Sequence, residues 1–441
     1  MTDWVSKPLG GIIALQRGHD LPSQDRKEGG IPIMGSSGIT GYHNEAKLNG
    51  PGVIVGRSGN SMGEVSFIDE DYWPLNTCLY VTDFKGNDER YIYYLLQTIN
   101  FDQFNSGSAQ KSLNRNAVYP YEVYITENKD EQIKIGRILA DFEEKIELNR
   151  QTNLTLEQIA QAIFKSWFVD FDPVKAKIKS KQNGQAPELA AICAISGKTE
   201  EQLKGLDEAT QQQLKTTAAL FPDALVDSEL GEVPEGWIVT DLKSVTTELR
   251  RGISPKYTEE NGIQVINQKC IRNHSVNFEL TRLNDPLKRK VDGRYVEVGD
   301  VLVNSTGVGT LGRLAPVRYL PEPTVFDSHV TVVRADKAEI GKSFLAGLML
   351  TNEAFIEASG AGSTGQTELR KQVVEEIFFA KPPVTLGSVF DVIAEPMNNQ
   401  IAVLEQQQRK LAQMRDTLLP KLLSGELTLD KPKTTTEAVA C

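Results

Sequence analysis

Two stretches of this sequence, 255 residues apart, carry the same heptad pattern. In the first, positions spaced alternately four and three residues apart begin at Ile135 and end at Trp167. The same offset gives a second set, from Phe390 to Leu422, in which eight of ten positions are apolar. This spacing predicts two long helices that bury a continuous stripe. The first set is Ile135, Leu139, Phe142, Ile146, Asn149, Asn153, Leu156, Ala160, Ile163 and Trp167, and the second is Phe390, Ala394, Met397, Ile401, Leu404, Gln408, Leu411, Arg415, Leu418 and Leu422.

Segments upstream of the two helices also correspond. An apolar run enters a Gly/Ser/Thr loop at Gly52–Gly59 and again at Gly299–Gly307, and Gly30–Ile33 resembles Gly262–Val265. Matching elements in the same order predict two copies of one unit, a strand-rich domain followed by a long helix. Chance similarity between two coiled-coil helices is the alternative.

The predicted fold class is α+β, with two similar strand-rich domains and two long helices that pair as an antiparallel coiled coil within the chain. Pro173 limits the first helix, because proline cannot continue a helix and restricts the residue before it. Pro420 and Gly425 mark the end of the second helix. The predicted segments are a first domain at 1–127, a first helix at 128–172, a linker with short helices at 173–235, a second domain at 236–384, a second helix at 385–427 and a disordered tail at 428–441.

Composition excludes several classes of protein. The four cysteines are scattered without a CxxC pair, which argues against a disulfide framework or a structural zinc site. The sequence shows no signal peptide and no apolar run of membrane-spanning length, so we expect a cytoplasmic protein. A net charge of −11 argues mildly against a free-standing nucleic-acid binder. The cysteines are Cys78, Cys193, Cys270 and Cys441, and the histidines, which lack metal-ligand spacing, are His19, His43, His274 and His329.

Catalytic motifs are missing. The sequence contains no GxxxxGK[ST] phosphate loop and no HExxH pair. Gly307–Gly312 matches GxGxxG, but a strand-like run broken by Pro316 follows it where a dinucleotide site needs a helix. The Asn/Asp-Pro-Pro-aromatic string of adenine methyltransferases is also missing. We therefore expect a chain that is not an enzyme and binds no cofactor of its own.

Four local strings, in their order along the chain, resemble the specificity subunit of type I restriction-modification systems. That resemblance implies two target recognition domains, each reading one half of a split site in double-stranded DNA. It implies helices that set the spacer between the half-sites and dock two methyltransferase subunits, with helicase-nuclease subunits as further partners. S-adenosylmethionine, ATP and Mg²⁺ would then belong to the partner subunits. The strings are KSWFVDFDPV at 165–174, FPD at 221–223, SELGEVPEGW at 228–237 and LLPKLLSGEL at 418–427.

Two loop families, each present once per repeat, carry the residue types that a DNA reader needs. Base edges are read by hydrogen bonds, and phosphates by cations or amide donors. The alternative is that these are only solvated turns. The first-domain candidates are Arg57, Ser58, Asn60, Ser61, Gln110, Lys111, Asn114 and Arg115; the second-domain candidates are Ser305, Thr306, Thr310, Arg313, Gln366, Thr367 and Arg370. Basic clusters suited to phosphates are Arg250, Arg251, Lys288, Arg289, Lys290 and Arg294.

Three functions compete at this point. The leading hypothesis is a non-catalytic DNA-specificity subunit. A tandem-domain coiled-coil scaffold that binds proteins or glycans is the second, and a stand-alone DNA enzyme is the third. The missing motifs oppose the third. Neither strand-rich domain is strongly basic, so we expect partner subunits to supply part of the hold on DNA.

Overall fold

A computed structural model describes residues 4–107, 110–291, 293–360, 368–427 and 429. The chain forms two compact units. The first unit runs up to Asn149 and resumes at Gln407, and the second unit runs from Arg150 to Gln406. Each long helix therefore contributes one part to each unit. Of the helices in the described residues, none combines the length and apolar character that crossing a bilayer requires.

The first unit is built on a four-stranded antiparallel sheet in the order β2-β8-β5-β6, beside a three-stranded sheet in the order β4-β3-β7 and the pair β1-β9. Its helix α2 packs an apolar face on the larger sheet. The elements are β1 Trp4–Pro8, α1 Leu9–Ile12, β2 Ala14–Arg17, β3 Ile31–Gly35, β4 Gly38–His43, β5 Gly52–Gly56, β6 Val65–Ile68, β7 Trp73–Pro74, β8 Cys78–Asp83, α2 Glu89–Gln97, α3 Arg115–Val118, β9 Glu122–Thr126 and α4 Lys129–Phe168.

The second unit starts with a set of short helices and then repeats the strand pattern. Its larger sheet has the order β13-β22-β19-β20, its smaller sheet the order β14-β18-β15-β21, and β12 pairs with β23. The elements are α5 Asp172–Gln182, α6 Pro187–Ser196, α7 Glu200–Lys204, α8 Glu208–Ala219, β10 Leu225–Ser228, β11 Gly231–Pro234, β12 Ile238–Asp241, β13 Thr246–Arg251, β14 Tyr257–Thr258, β15 Ile263–Ile266, β16 Ile271–Arg272, β17 Ser275–Val276, β18 Arg282–Asn284, β19 Val301–Asn304, β20 Leu314–Pro316, β21 Thr324–Phe326, β22 Val330–Ala335, α9 Lys342–Thr351, α10 Glu353–Ala358, α11 Lys371–Glu375, β23 Phe378–Lys381 and α12 Val384–Leu423.

The two units have corresponding larger sheets and related smaller sheets, which confirms the predicted pair of similar strand-rich domains. In each, the smaller sheet contains one parallel pair, β3 with β7 and β15 with β21. A glycine, Gly18 or Gly252, directly follows the first strand in the order of each larger sheet. A Cβ at Gly18 would lie 2.1 Å from the carbonyl oxygen of Leu75, and one at Gly252 would lie 1.9 Å from that of Phe326. Both positions therefore exclude any larger residue for the same reason.

The long helices α4 and α12 run antiparallel where they meet. In the first unit, the Asn149 side-chain amide donates to Gln407 at 3.3 Å, and Arg415 lies 3.6 Å from Glu143. In the second unit, the ring centroids of Phe164 and Phe390 are 5.5 Å apart. The twenty predicted seam positions are all buried or half-buried. The heptad pattern thus identified the stripe along which each helix packs.

Candidate DNA-contact surface

The two predicted loops of the first unit lie side by side. We call residues 57–64, 105–107 and 110–115 the first loop pair. Ser58 pairs with Ser112 as an isolated bridge. The Gly59 amide donates to the Lys111 carbonyl at 3.0 Å, and the Leu113 amide donates to the Arg57 carbonyl at 2.8 Å. Backbone hydrogen bonds therefore join two segments that are about 50 residues apart in sequence into one surface.

An open groove of about 710 Å³ runs along this surface. Arg57, Asn114 and Arg115 line it, together with Ser112 of the first loop pair. Residues 16–20, at the end of β2, form its remaining polar wall. The groove is therefore lined mainly by polar side chains, as a surface that accepts a hydrated, charged polymer requires.

Several predicted site residues also support the loop structure. The Arg115 guanidinium donates to the Leu15 carbonyl at 2.9 Å. The Asn114 side chain accepts from the Asn116 amide at 3.0 Å and so caps α3. The Arg57 guanidinium donates to the Asn76 carbonyl at 3.4 Å, and Lys111 pairs with Asp102 at 2.7 Å. These contacts hold the side chains in place and leave further donors of each cation for a ligand.

The other predicted residues of the first loop pair differ in exposure. Asn60 and Gln110 are exposed, whereas Ser58 and Ser61 are half-buried. Gly59 has a φ of +78°, and a Cβ at this position would lie 3.6 Å from the Gln110 side-chain nitrogen. A larger residue at position 59 would therefore strain the backbone, whereas its Cβ would make only an ordinary contact with Gln110.

Sequence reasoning missed part of this groove. Arg17 and His19 line it although neither was a candidate. The Arg17 side chain is 56% exposed and lies 3.8 Å from Asp20. The His19 ring nitrogen lies 3.4 Å from the Tyr80 hydroxyl. A signal was available in the repeat itself, because Leu-x-Arg-Gly occurs at 15–18 and again at 249–252.

The second unit brings its two predicted loops together in the same way. We call residues 304–313 and 368–370 the second loop pair. The Leu369 amide donates to the Ser305 carbonyl at 2.8 Å, and Thr306 forms an isolated bridge with Glu368. Arg251 contacts Glu368 at 2.6 Å and donates to the Leu369 carbonyl at 2.9 Å. Arg251 occupies the place of Arg17 in the repeat, but here it secures the loop.

The predicted residues of the second loop pair lie in contrasting environments. Ser305 is only 1% exposed, and its hydroxyl lies 2.6 Å from that of Thr331 inside the sheet. The Thr306 hydroxyl lies 2.8 Å from the ring of His329. Thr310 and Arg313 are half-buried, and Arg370 is exposed. Gln366 and Thr367 lie outside the described residues.

Within the described part of the chain, no group of three or more His, Cys, Asp or Glu residues is arranged to hold a metal ion. Cys78 and Cys270 are free and buried. Burial raises the pKa of the Cys78 thiol to about 12 and that of Cys270 to about 11. Both thiols therefore stay protonated and unreactive at neutral pH, which is the behaviour of packing residues.

Comparison with known proteins agrees with this geometry. Residues 1–158 match the family model of the type I restriction modification DNA specificity domain. The chain is 30% identical over 319 residues to the HindI specificity subunit of Haemophilus influenzae, covering 68% of each protein. It is 23% identical over 361 residues to the MjaIX specificity subunit of Methanocaldococcus jannaschii, covering 78% of this chain and 71% of that one.

A solved structure shows the same fold. The type I restriction-modification S subunit from M. genitalium aligns with a TM-score of 0.58 at 15% identity, over 98% of this chain and 97% of that one. The predicted assignment as a DNA-recognition subunit of a multisubunit complex, without catalysis of its own, is confirmed by the family. On its repeated fold and on its likeness to the Haemophilus protein, the chain belongs to the specificity subunits of type I restriction enzymes.

Proposed function

We propose that this chain reads a bipartite DNA target, with one half-site read by each unit. The observation that carries the proposal is the repeated loop pair. In each unit, a loop follows the third strand of the larger sheet, which is β5 in the first unit and β19 in the second. This loop is hydrogen-bonded to a segment just before a short helix. Two similar readers in one chain suit two separate half-sites, as two related subunits do in dimeric DNA-binding proteins.

Each loop pair presents groups that can distinguish bases. Arginine pairs bidentately with guanine, and asparagine or glutamine with adenine. In the first unit we assign this reading to Arg17, Arg57, Asn60 and Gln110, with Lys111 and Arg115 toward phosphates. In the second unit we assign it to Thr306, Thr310 and Arg313, with Arg370 toward phosphates. Gln366 and Thr367 remain predictions from sequence alone.

The long helices are the proposed docking site for two methyltransferase subunits and the proposed spacer between half-sites. Three apolar side chains of the second unit are exposed on these helices: Ile159 on α4, and Val392 and Val403 on α12. Val392 and Val403 are 11 residues apart, which is close to three full turns, so they share a face. Helicase-nuclease subunits would join the same complex in the cytoplasm, and S-adenosylmethionine, ATP and Mg²⁺ would bind to those partners.

Substitution in the first groove tests the proposal. Arg17→Ala and Arg57→Ala should each weaken binding of the assembled methyltransferase complex to its cognate duplex by about 1–3 kcal/mol. The loss is confined to one base position if the residue reads a base, and is uniform across sequences if it contacts phosphate. Lys198→Ala, at an exposed site before α7, is the matched control and should bind as the wild type does. Unchanged affinity in both arginine variants would exclude this groove from the DNA site.

A further inference from the structure

The segment between β18 and β19 is longer than its counterpart in the first unit. In the first unit, four residues, 44–47, separate the end of β4 at His43 from Leu48, which pairs with Tyr72. In the second unit, ten residues, 285–294, separate the end of β18 at Asn284 from Tyr295, which pairs with Val325. The second unit therefore carries extra chain at a point where the two folds otherwise correspond.

This extra chain combines an exposed apolar tip with a run of cations. Leu287 is 95% exposed, which makes it the most exposed large hydrophobic side chain of the described residues. Lys288, Arg289 and Lys290 follow it directly, and both lysines are exposed. A single exposed leucine is ordinary on a protein surface. A leucine at the tip of a basic loop is the combination with which DNA-binding proteins contact a groove between two phosphate backbones.

The loop is held in a defined shape. The Asp285 carboxylate accepts from the Leu287 amide at 2.9 Å, and the Asp285 carbonyl accepts from the Arg289 amide at 2.9 Å. Asn284, which is fully buried, donates from its side chain to the Arg289 carbonyl at 2.9 Å. The Asp285 amide donates to the Lys256 carbonyl at 2.8 Å. These bonds hold the loop with Leu287 pointing outward. Binding a ligand therefore costs little conformational entropy in the loop.

The base of the segment is joined to the second loop pair. The Arg294 guanidinium donates to the Gly252 carbonyl at 2.8 Å and to the Arg251 carbonyl at 3.3 Å. The Arg251 side chain in turn contacts Glu368 and the Leu369 carbonyl of the second loop pair. Arg294 and Arg251 therefore link the basic loop to the second loop pair, which is the surface that we assign to the second half-site.

We propose that residues 285–290 form an additional DNA-contact element that grips the double helix beside the second half-site. Lys288 and Lys290 contact phosphates, and Leu287 packs into the minor groove against sugars and base edges. The inference rests on the proposed function, because it requires that the second unit faces DNA. It goes further in assigning a sequence-independent contact, found in the second unit alone, outside the loops that read bases.

The test uses the methyltransferase complex assembled with the full chain, on a duplex that contains its mapped target. Lys288→Gln with Lys290→Gln should weaken binding equally on target and unrelated duplexes. The slope of log affinity against log salt should become shallower by about 0.9 for each phosphate that the variant no longer neutralises, hence by nearly 2 for the pair. Leu287→Ser should weaken binding about 3- to 30-fold without changing that slope. In both variants the methylated motif should stay the same.

Matched controls lie elsewhere in the second unit. Lys198→Gln with Lys204→Gln removes two exposed charges near α7, and Leu230→Ser alters an exposed leucine in the turn between β10 and β11. Both should bind DNA as the wild type does. The inference would be overturned, and the proposed function left intact, if Leu287→Ser and the Lys288→Gln, Lys290→Gln double variant both kept the wild-type affinity and salt dependence. A changed motif would also overturn it, because the loop would then read bases. A wild-type complex that fails to bind its target would refute the proposed function itself.

Discussion

A buried charge cluster in the second unit gives a sharp prediction about stability. The Arg318 side chain is only 5% exposed, and it donates to Glu157 at 2.9 Å and to the His274 carbonyl at 2.8 Å. Its guanidinium also lies 3.7 Å from Glu405. His274 hydrogen bonds Glu157 and, at 2.6 Å, Glu353. Two cations thus compensate three carboxylates that connect α4, α10, α12 and the turn between β16 and β17.

Arg318→Met should destabilise the second unit by about 3–5 kcal/mol, because it removes one partner from a buried ionic network. Burial already raises the pKa of Glu405, and attraction by Arg318 is the main contribution that lowers it. Without Arg318 the pKa of Glu405 rises further above its unfolded value. The folded variant then binds more protons than the unfolded chain, so its stability should fall further as pH rises. Arg318→Met with Glu405→Gln should recover part of the loss.

Hydrogen exchange of the peptide that covers residues 271–276 measures the effect. A loss of 3–5 kcal/mol corresponds to exchange faster by a factor of roughly 10² to 5 × 10³. Lys342→Met is the control, since Lys342 and Glu395 form an exposed pair at 2.6 Å in the same unit, which should contribute about 0–1 kcal/mol. If Arg318→Met behaved like Lys342→Met, the cluster would not stabilise this unit and the reasoning would be wrong.

Two further predictions concern the histidine and the helices. His274 donates hydrogen bonds to the carboxylates of Glu157 and Glu353, which raises its pKa to about 10, above its unfolded value of 6.5. The stabilisation should be complete below pH 6.5 and lost as pH rises toward 10. Denaturant unfolding at pH 6 and pH 9.5 measures the free energy of unfolding. The value for His274→Gln should be closer to that of the wild type at pH 9.5, and an equal difference at both pH values would contradict this. Inserting one heptad into α4 and one into α12 preserves the seam and should widen the unread spacer of the methylated motif while both half-sites persist. Inserting two residues instead should disrupt assembly with the methyltransferase, and an unchanged spacer in the heptad variant would show that the helices do not set it.

Local pattern was enough to predict the helices and the repeat. Apolar residues recur at every third or fourth position of α4 and α12. The buried stripes that begin at Ile135 and at Phe390 could therefore be predicted without a structure. The loops at Arg57 and Gln110 could be found because Gly and Ser interrupt apolar runs there. Their direct contact through Gly59 and Lys111 follows from the pairing of distant strands, which no local pattern shows.

Features that depend on distant contacts could not be predicted. Arg17 enters the first groove because β2 pairs with β8, more than 60 residues later. Ser305 looked like a loop residue, yet its position directly after β19 turns its hydroxyl into the sheet toward Thr331. From the sequence alone, His274 is only a histidine without metal-ligand spacing. It meets Glu157 across 117 residues of sequence, and only the packing of the second unit on α4 brings the two together.

Sequencing the methylated motif of a chimaera tests the central claim most directly. Residues 1–127 of this chain would be replaced by the corresponding domain of another specificity subunit, and the chimaera would be expressed with the cognate methyltransferase. If each unit reads its own half-site, one half of the motif should change while the other half and the spacer stay the same. A motif in which both halves change, or one that is continuous rather than split, would contradict the account.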